Sequence, residues 1–211
     1  MRYNDIREVK KNLRSQFKAI RRSFAPEEQA AKDKTILKKV TSLKEYRSAP
    51  LILTYVSTAI EVDTRTLIKE ALAAGKKVAV PWCVPGEIDM KFFLIDSLDQ
   101  LEPGSFGVLE PVPEKMQELF STVSEDEIAR SFCVMPGLGF DLQGYRLGYG
   151  KGYYDRFLAG YPGFTCGVCY TACLKTRLPH GRFDRMIDTL VTEKFIKRFD
   201  TAPNMTTKDP K

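Results

Sequence analysis

Histidine and cysteine are scarce in this chain, and their scarcity limits the metal and disulfide chemistry open to it. His180 is the only histidine among 211 residues, and it does not have the spacing to cysteine that zinc sites show. The five cysteines are an odd set for a chain of this size: Cys83, Cys133, Cys166, Cys169 and Cys173. An odd number argues against a disulfide framework and favours reduced thiols in a cytosolic compartment. We therefore expect a cytoplasmic protein in which Cys166 and Cys169 belong to a buried strand.

Long apolar runs are also missing from the sequence. Apolar stretches such as residues 51–56 are far shorter than the ~20 residues that a membrane-spanning helix needs. Residues 1–8 contain no apolar signal-peptide core, so we expect no membrane partner. With 43% hydrophobic and 28% charged residues, the composition is that of a globular protein. We expect one α/β catalytic domain over residues 1–200 and a flexible polar tail over residues 201–211.

Positive charge is concentrated at the start of the chain. The formal net charge is +6, whereas residues 1–50 alone carry +8. One interpretation of such a segment is a nucleic-acid binder. However, the basic residues are not interleaved with aromatic ones and form no recognised binding module. We therefore expect no nucleic-acid partner and consider instead that these cations bind an anionic small molecule.

The first helix is predicted by its apolar periodicity. Apolar residues recur at intervals of three or four: Ile6, Val9, Leu13, Phe17 and Ile20. This spacing is typical of one face of an amphipathic helix. On another face, Lys10, Arg14 and Lys18 lie in line, each one turn from the next. A second helix is predicted to begin at Pro26 and to run to about Leu43.

Beyond this point, apolar strands alternate with helical segments. Strands are predicted at residues 51–56, 77–82, 90–95, 132–135, 164–170 and 189–192. Helices are predicted from about residue 64 to 75, from residue 124, and from residue 153 to 158. Strands separated by helices indicate an open, largely parallel sheet. We therefore predict a three-layer α/β fold with helices on both faces of the sheet.

A glycine-rich block, predicted to be a continuous loop over residues 137–152, links the fourth of these strands to the next helix. Residues 137–152 contain six of the 14 glycines, and Arg146 and Lys151 flank the turn. Ligands bind at the carboxyl ends of strands in open parallel sheets, and glycines there let backbone N–H groups approach an anion. Asp155 follows one helical turn later, where a carboxylate suits Mg²⁺. The block is neither a Walker A loop nor a dinucleotide fingerprint, yet it predicts a phosphate site.

The longer segment at residues 135–155 resembles the signature of the 5-formyltetrahydrofolate cyclo-ligases, also called methenyltetrahydrofolate synthetases. It reads Met-Pro-Gly-Leu-Gly-Phe-Asp-Leu-Gln-Gly-Tyr-Arg-Leu-Gly-Tyr-Gly-Lys-Gly-Tyr-Tyr-Asp. Five further blocks match and occur in the family's order: residues 10–14, 61–64, 75–81, 104–111 and 188–193. The resemblance implies a Rossmann-like fold similar to the group of sugar-phosphate isomerases and coenzyme A transferases. It also implies ATP- and Mg²⁺-dependent cyclisation of 5-formyltetrahydrofolate to 5,10-methenyltetrahydrofolate, with release of ADP and phosphate.

Site residues follow from the same resemblance. It implies catalytic roles for Lys151, Arg146 and Tyr153. The ATP-binding set that it implies is Lys10, Arg14, Phe106 and the run Arg146, Leu147, Gly148, Tyr149, Gly150, Lys151, Gly152, Tyr153 and Tyr154. The folate-binding set is Val56, Glu61, Tyr149, Gly150, Lys151, Gly152 and Tyr153. The implied Mg²⁺ ligands are Asp155 and Asp184. We expect a monomer whose partners are these small molecules.

One block departs from the family pattern. Many members have a histidine directly before the second metal-binding aspartate, whereas this chain has Phe183 before Asp184. Asp188 is an alternative second ligand. A different enzyme class remains as an alternative interpretation, because the fold of sugar-phosphate isomerases allows a phosphorylated substrate without ATP hydrolysis. The glycine block and residues 61–64 are not expected in that class.

Overall fold

The computed structural model describes residues 3–104 and 107–200. Its helices are α1 (Tyr3–Arg22), α2 (Pro26–Ser42), α3 (Lys44–Ser48), α4 (Arg65–Ala73), α5 (Leu119–Thr122), α6 (Glu125–Ala129) and α7 (Tyr153–Leu158). Its strands are β1 (Leu51–Thr54), β2 (Lys77–Cys83), β3 (Met90–Ile95), β4 (Glu102–Pro103), β5 (Leu109–Glu110), β6 (Phe132–Met135), β7 (Gly139–Asp141), β8 (Arg146–Leu147), β9 (Phe164–Val168), β10 (Leu174–Lys175), β11 (Thr189–Val191) and β12 (Ile196–Arg198). The tail predicted at residues 201–211 lies outside the described residues.

Seven strands form the central sheet in the order β12-β11-β9-β6-β1-β2-β3. The five inner strands are parallel, and each edge strand is antiparallel to its neighbour. Two small sheets, β10-β7-β8 and β4-β5, lie beside it. The open, largely parallel sheet predicted from the sequence is thus confirmed. Within the described part of the chain, no helix combines the length and apolar content needed to cross a bilayer.

Helices cover both faces of the sheet because strand side chains alternate between the faces. On β1, Ile52 packs in one apolar core with residues of α2, α3 and α4. Its neighbours Leu51 and Leu53 belong to the other core, with residues of α1, α5, α6 and α7. The three-layer architecture is therefore confirmed. The strand containing Cys166 is buried as predicted, but it ends at Val168, so Cys169 is buried just beyond it; both thiols are free.

The glycine block is only partly a loop. We predicted a continuous loop over residues 137–152, but β7 and β8 pair there as an antiparallel hairpin. The hairpin packs on the sheet through Phe140, and the ring of Phe17 on α1 lies against Gly139. Gly137, Gly139 and Gly144 therefore belong to a packed hairpin, and the open glycine-rich loop is confined to residues 148–152.

Candidate active site

A buried carboxylate anchors the β7–β8 hairpin. Asp141 is completely buried, and its Oδ1 accepts hydrogen bonds from the N–H groups of Gln143 and Tyr145, both at 2.9 Å. Its Oδ2 accepts from the N–H of Leu178 at 2.8 Å. Backbone donors thus replace the water that a buried charge loses. Asp141, which was not predicted from the sequence, thus fixes the start of β8 and with it the position of Arg146.

Loop 148–152 follows β8 and ends at α7. Gly150 and Gly152 have φ angles of +104° and +72°. Residues other than glycine rarely adopt this backbone conformation, so both positions favour glycine. Between them, the Lys151 side chain is exposed, and its ammonium forms no hydrogen bond or ion pair with the rest of the described chain. The loop thus presents a cation that is not paired with any described residue, beside two glycines, as a phosphate-binding loop requires.

All three cations in line on α1 contact the site. Lys10 forms an ion pair with Asp184, with 2.8 Å between Nζ and Oδ2. Arg14 Nε donates to the carbonyl of Gly148 at 2.9 Å, and Lys18 Nζ lies 5.3 Å from the centroid of the Tyr149 ring. Partial burial lowers the pKa of Arg14, and the charge of Asp184 opposes that shift. The helix face that carries these three cations therefore faces loop 148–152 rather than solvent alone.

A second ion pair joins β8 to α7. Arg146 Nη2 donates to Asp155 Oδ1 at 2.8 Å, and the side chain of Arg146 is only 4% exposed. The same oxygen accepts from the N–H of Arg185 at 3.3 Å. Since Arg185 follows Asp184, these contacts bring the segment with the second predicted metal ligand to α7. Asp155 and Asp184 each face a cation.

The donor set fits Mg²⁺ in part. Mg²⁺ prefers oxygen ligands and commonly uses one or two carboxylates together with phosphates and water. Asp155 Oδ2 has no hydrogen-bond partner among the described residues, so it is open to a cation. Both oxygens of Asp184 accept from Lys10, and Oδ2 also accepts from the N–H of Gly181. Asp155 is thus the better ligand, and no cluster of three potential ligands occurs in the described residues.

Asp188, the alternative second ligand, has a structural contact instead. Its Oδ2 accepts from the N–H and the hydroxyl of Thr165, at 2.8 and 2.7 Å. Thr165 lies near the start of β9, and Asp188 directly precedes β11, which is parallel to β9. This contact is therefore at the amino ends of the strands. Loop 148–152 lies at the other edge, so Asp188 does not join the site.

Glu61 and Tyr149 connect the loop after β1 to loop 148–152. Glu61 is 7% exposed, and its Oε1 accepts from the Tyr149 hydroxyl at 3.0 Å. Oε2 accepts from the N–H and the hydroxyl of Thr58, both at 2.9 Å. Burial and the charge of Glu61 raise the pKa of Tyr149, so its hydroxyl stays a donor. The two residues expected to meet folate thus touch each other.

A cavity of about 350 Å³ lies beside Glu61. Its lining residues come from α2 and from the segment after β1: Gln29, Asp33, Ser57, Thr58, Ala59, Glu61, Asp63 and Arg65. This volume lies within the range of small-molecule pockets. Seven of the eight lining residues have polar side chains, so the cavity offers hydrogen-bonding groups.

The remaining predicted residues have varied surroundings. Val56 is 4% exposed and so offers little surface to a ligand. The Tyr153 hydroxyl donates to the carbonyl of Glu87 at 3.4 Å. The Tyr154 hydroxyl is buried without a hydrogen-bond partner, and its ring lies 5.9 Å from the Arg146 guanidinium. Phe106, expected near the adenine, lies outside the described residues.

Arg21 is a structural residue of the site that was not predicted from the sequence. Its side chain is buried and donates to the carbonyls of Gly137, Leu138 and Ile60 at 2.6, 3.1 and 3.0 Å. It thereby ties together the segments that follow β1 and β6, which carry the two halves of the site. The available signal was its place on α1, seven residues after Arg14 and so on the same helix face.

Neither Phe183 nor His180 takes the place of the histidine that many family members have before the second aspartate. The Phe183 side chain is 69% exposed and lies 4.5 Å from the guanidinium of Arg182. The His180 ring stacks on Tyr145, with 3.8 Å between the ring centroids. An exposed ring at position 183 cannot orient a metal ligand, and the histidine is committed to a stack three residues earlier.

The fold and the site define a Rossmann-like α/β protein with a cation-lined glycine loop at the carboxyl edge of its sheet. The chain belongs to the 5-formyltetrahydrofolate cyclo-ligase family, whose model matches residues 6–193. The family is a family of ligases, so the chain is an enzyme of that class.

Individual relatives agree with this placement. A Caenorhabditis elegans protein named a probable 5-formyltetrahydrofolate cyclo-ligase is 32% identical over 158 residues, covering 73% of this chain and 74% of its own. An Arabidopsis thaliana relative, 31% identical over 75% of this chain and 60% of its own, is named as mitochondrial. The solved structure of the Aquifex aeolicus 5,10-methenyltetrahydrofolate synthetase has a TM-score of 0.77 and 30% identity, covering 95% of this chain and 98% of the other.

Proposed function

We propose that this enzyme catalyses the ATP- and Mg²⁺-dependent cyclisation of 5-formyltetrahydrofolate to 5,10-methenyltetrahydrofolate, with release of ADP and phosphate. The observation that carries the proposal is the hydrogen bond between Tyr149 and Glu61. It brings loop 148–152, which suits phosphates, against the segment that suits the pterin ring. A phosphoryl donor and a folate bound to these two segments would therefore lie side by side. Family membership supports the same reaction.

The chemistry requires an activated formyl group. A formamide oxygen is a poor leaving group, so it attacks the γ-phosphorus of ATP; an O–P bond forms and the bond to ADP breaks. The neighbouring folate nitrogen then attacks the formyl carbon, loses its proton, and expels the phosphate as the ring closes. No covalent bond to the enzyme is needed. The protein contributes positioning and charge stabilisation, which dominate phosphoryl transfer in general.

The cations around loop 148–152 have distinct roles in this proposal. The exposed Lys151 ammonium neutralises the charge that develops on the transferred phosphoryl group. Arg146, held by Asp155 and by the carbonyl of Arg185, contributes its positive charge beside the phosphates. Lys10 and Arg14 bind phosphates from α1, and backbone N–H groups between Leu147 and Tyr154 supply further donors.

On the folate side, Glu61 hydrogen-bonds the pterin ring, and the nearly buried Val56 adds only a small apolar surface at its edge. Tyr149 and Tyr153 lie between the two substrates. Asp155 and, more weakly, Asp184 would hold Mg²⁺, which supplies charge neutralisation for the nucleotide phosphates. We propose that the enzyme acts as a cytoplasmic monomer.

The direct test follows the near-ultraviolet absorbance of methenyltetrahydrofolate in purified protein supplied with ATP, Mg²⁺ and 5-formyltetrahydrofolate. We expect the band to grow only when ATP is present. Lys151→Ala should lower the rate about 100-fold or more without loss of folding, since removing one charge-stabilising group has this effect. Lys69→Ala, at an exposed position on α4, is the matched control and should retain the wild-type rate. Folded wild-type protein that forms no product would refute the proposal.

A further inference from the structure

Arg156 contacts two segments of chain that are far apart in sequence. It lies on α7, directly after loop 148–152. Its Nε donates to the carbonyl of Ile88 at 2.8 Å, and its Nη2 donates to the carbonyl of Lys151 at 3.0 Å. Ile88 belongs to the turn between β2 and β3, residues 84–89, which we call the β2–β3 turn. One guanidinium thus joins this turn to the loop.

A second interaction joins the same two regions. The Tyr153 hydroxyl donates to the carbonyl of Glu87 in the β2–β3 turn. The Arg156 guanidinium lies 5.4 Å from the centroid of the Tyr153 ring, within the range of a cation–π contact. Arg156 and Tyr153 therefore both attach the start of α7 to the β2–β3 turn. These contacts limit how far the start of α7 can move.

The bond to Lys151 also fixes the orientation of a peptide group in the loop. In a trans peptide, the carbonyl and the following N–H point in opposite directions. Because the Lys151 carbonyl points to Arg156, the N–H of Gly152 points away from this guanidinium. This N–H has no acceptor among the described residues, so it is free to bind an anion. Arg156 thus orients a donor of the loop through its bond to the Lys151 carbonyl.

We propose that Arg156 is a positioning residue, which holds loop 148–152 in the conformation that accepts the phosphates of ATP. The inference rests on the proposed ATP site. The role differs from that of Lys151, because the Arg156 guanidinium is occupied by two carbonyl oxygens. It also gives the β2–β3 turn a function, because the Ile88 carbonyl of this turn is the second acceptor that holds the guanidinium.

The test compares Arg156→Met with Arg130→Met. Arg130 is an exposed arginine at the end of α6 whose guanidinium pairs with Asp126 on the same helix, so it is a matched control. Isothermal titration calorimetry gives the Kd of ATP without folate, so the measurement does not depend on turnover. We expect Arg156→Met to weaken ATP binding about tenfold, as the loss of these hydrogen bonds implies. Arg130→Met should bind like wild type.

Two further measurements separate positioning from a structural role. The KM for ATP should rise with that Kd, while the KM for 5-formyltetrahydrofolate and the thermal midpoint stay near their wild-type values. Arg156→Lys retains one charged donor and should recover part of the affinity. Unchanged ATP affinity in Arg156→Met, or a loss that follows a lowered thermal midpoint, would overturn the inference.

The proposed function and this inference fail in distinguishable ways. Wild-type protein that binds ATP but forms no methenyltetrahydrofolate would overturn the reaction alone, and the effect of Arg156→Met on ATP affinity would still be measured. Wild-type protein that does not bind ATP would overturn both.

Discussion

The hydroxyl of Tyr149 donates a hydrogen bond to the carboxylate of Glu61, across 88 positions of the sequence. Tyr149 belongs to loop 148–152, and Glu61 belongs to the segment between β1 and α4. The ring of Tyr149 is half exposed, whereas the carboxylate that it meets is buried. The contact therefore joins an accessible loop to a fixed acceptor, at the place where the two proposed substrates meet.

Removing the hydroxyl tests this connection. Tyr149→Phe loses one hydrogen bond to a charged group, which is worth about 1.5 kcal/mol or more. We expect the KM for 5-formyltetrahydrofolate to rise about tenfold, with a smaller change in the KM for ATP, in steady-state assays that vary each substrate. Tyr145→Phe is the control, because the ring of Tyr145 stacks on His180 and its hydroxyl makes no hydrogen bond to a described residue. Equal effects of the two variants would contradict the proposed link.

The two candidate metal ligands should respond unequally to amide substitution. Asp155 has an open oxygen, whereas both oxygens of Asp184 already accept hydrogen bonds. Asp155→Asn should therefore raise the Mg²⁺ concentration needed for half the maximal rate by about tenfold or more. Asp184→Asn should raise it less. A Mg²⁺ titration of each variant decides the order, and the reverse order would show that Lys10 leaves Asp184 when metal binds.

Arg21 should contribute to stability rather than to catalysis. Arg21→Met leaves three carbonyl oxygens without their donor, and each buried unsatisfied group costs about 1–3 kcal/mol. We expect the free energy of unfolding in urea to fall by about 3 kcal/mol. Arg22→Met changes the next, exposed residue and should stay within about 0.5 kcal/mol of wild type. A loss of similar size in both variants would argue against the buried contacts.

The ion pair between α3 and β12 predicts a specific acid dependence. Hydrogen bonds from Arg198, at 2.9 and 3.1 Å, lower the pKa of Glu45. A carboxyl whose folded pKa is lowered stabilises the protein above its unfolded pKa, and this stabilisation is lost as the pH falls through the folded pKa. Urea unfolding should thus show a difference between wild type and Glu45→Gln at pH 7 that disappears in strong acid. Arg198→Met should behave like Glu45→Gln; a difference that is constant with pH would exclude charge as its cause.

Local patterns were enough to predict most of the fold. The alternation of strands and helices gave the parallel sheet, and the spacing of apolar residues gave α1. The i, i+4 spacing of Lys10, Arg14 and Lys18 predicted a common face, because helix geometry depends only on positions within the helix. The β7–β8 hairpin was missed, since its strands are short and its turn depends on the buried Asp141.

The sequence by itself determined six of the seven strands of the central sheet, the common face of the three cations on α1, and the glycine-rich segment that suits phosphates. These features depend on residues close together in the chain. Only the tertiary structure decided which distant groups meet: Tyr149 with Glu61, Lys10 with Asp184, and Arg156 with the β2–β3 turn. Such contacts depend on the order and register of the strands, which bring the ends of non-adjacent segments to one edge of the sheet.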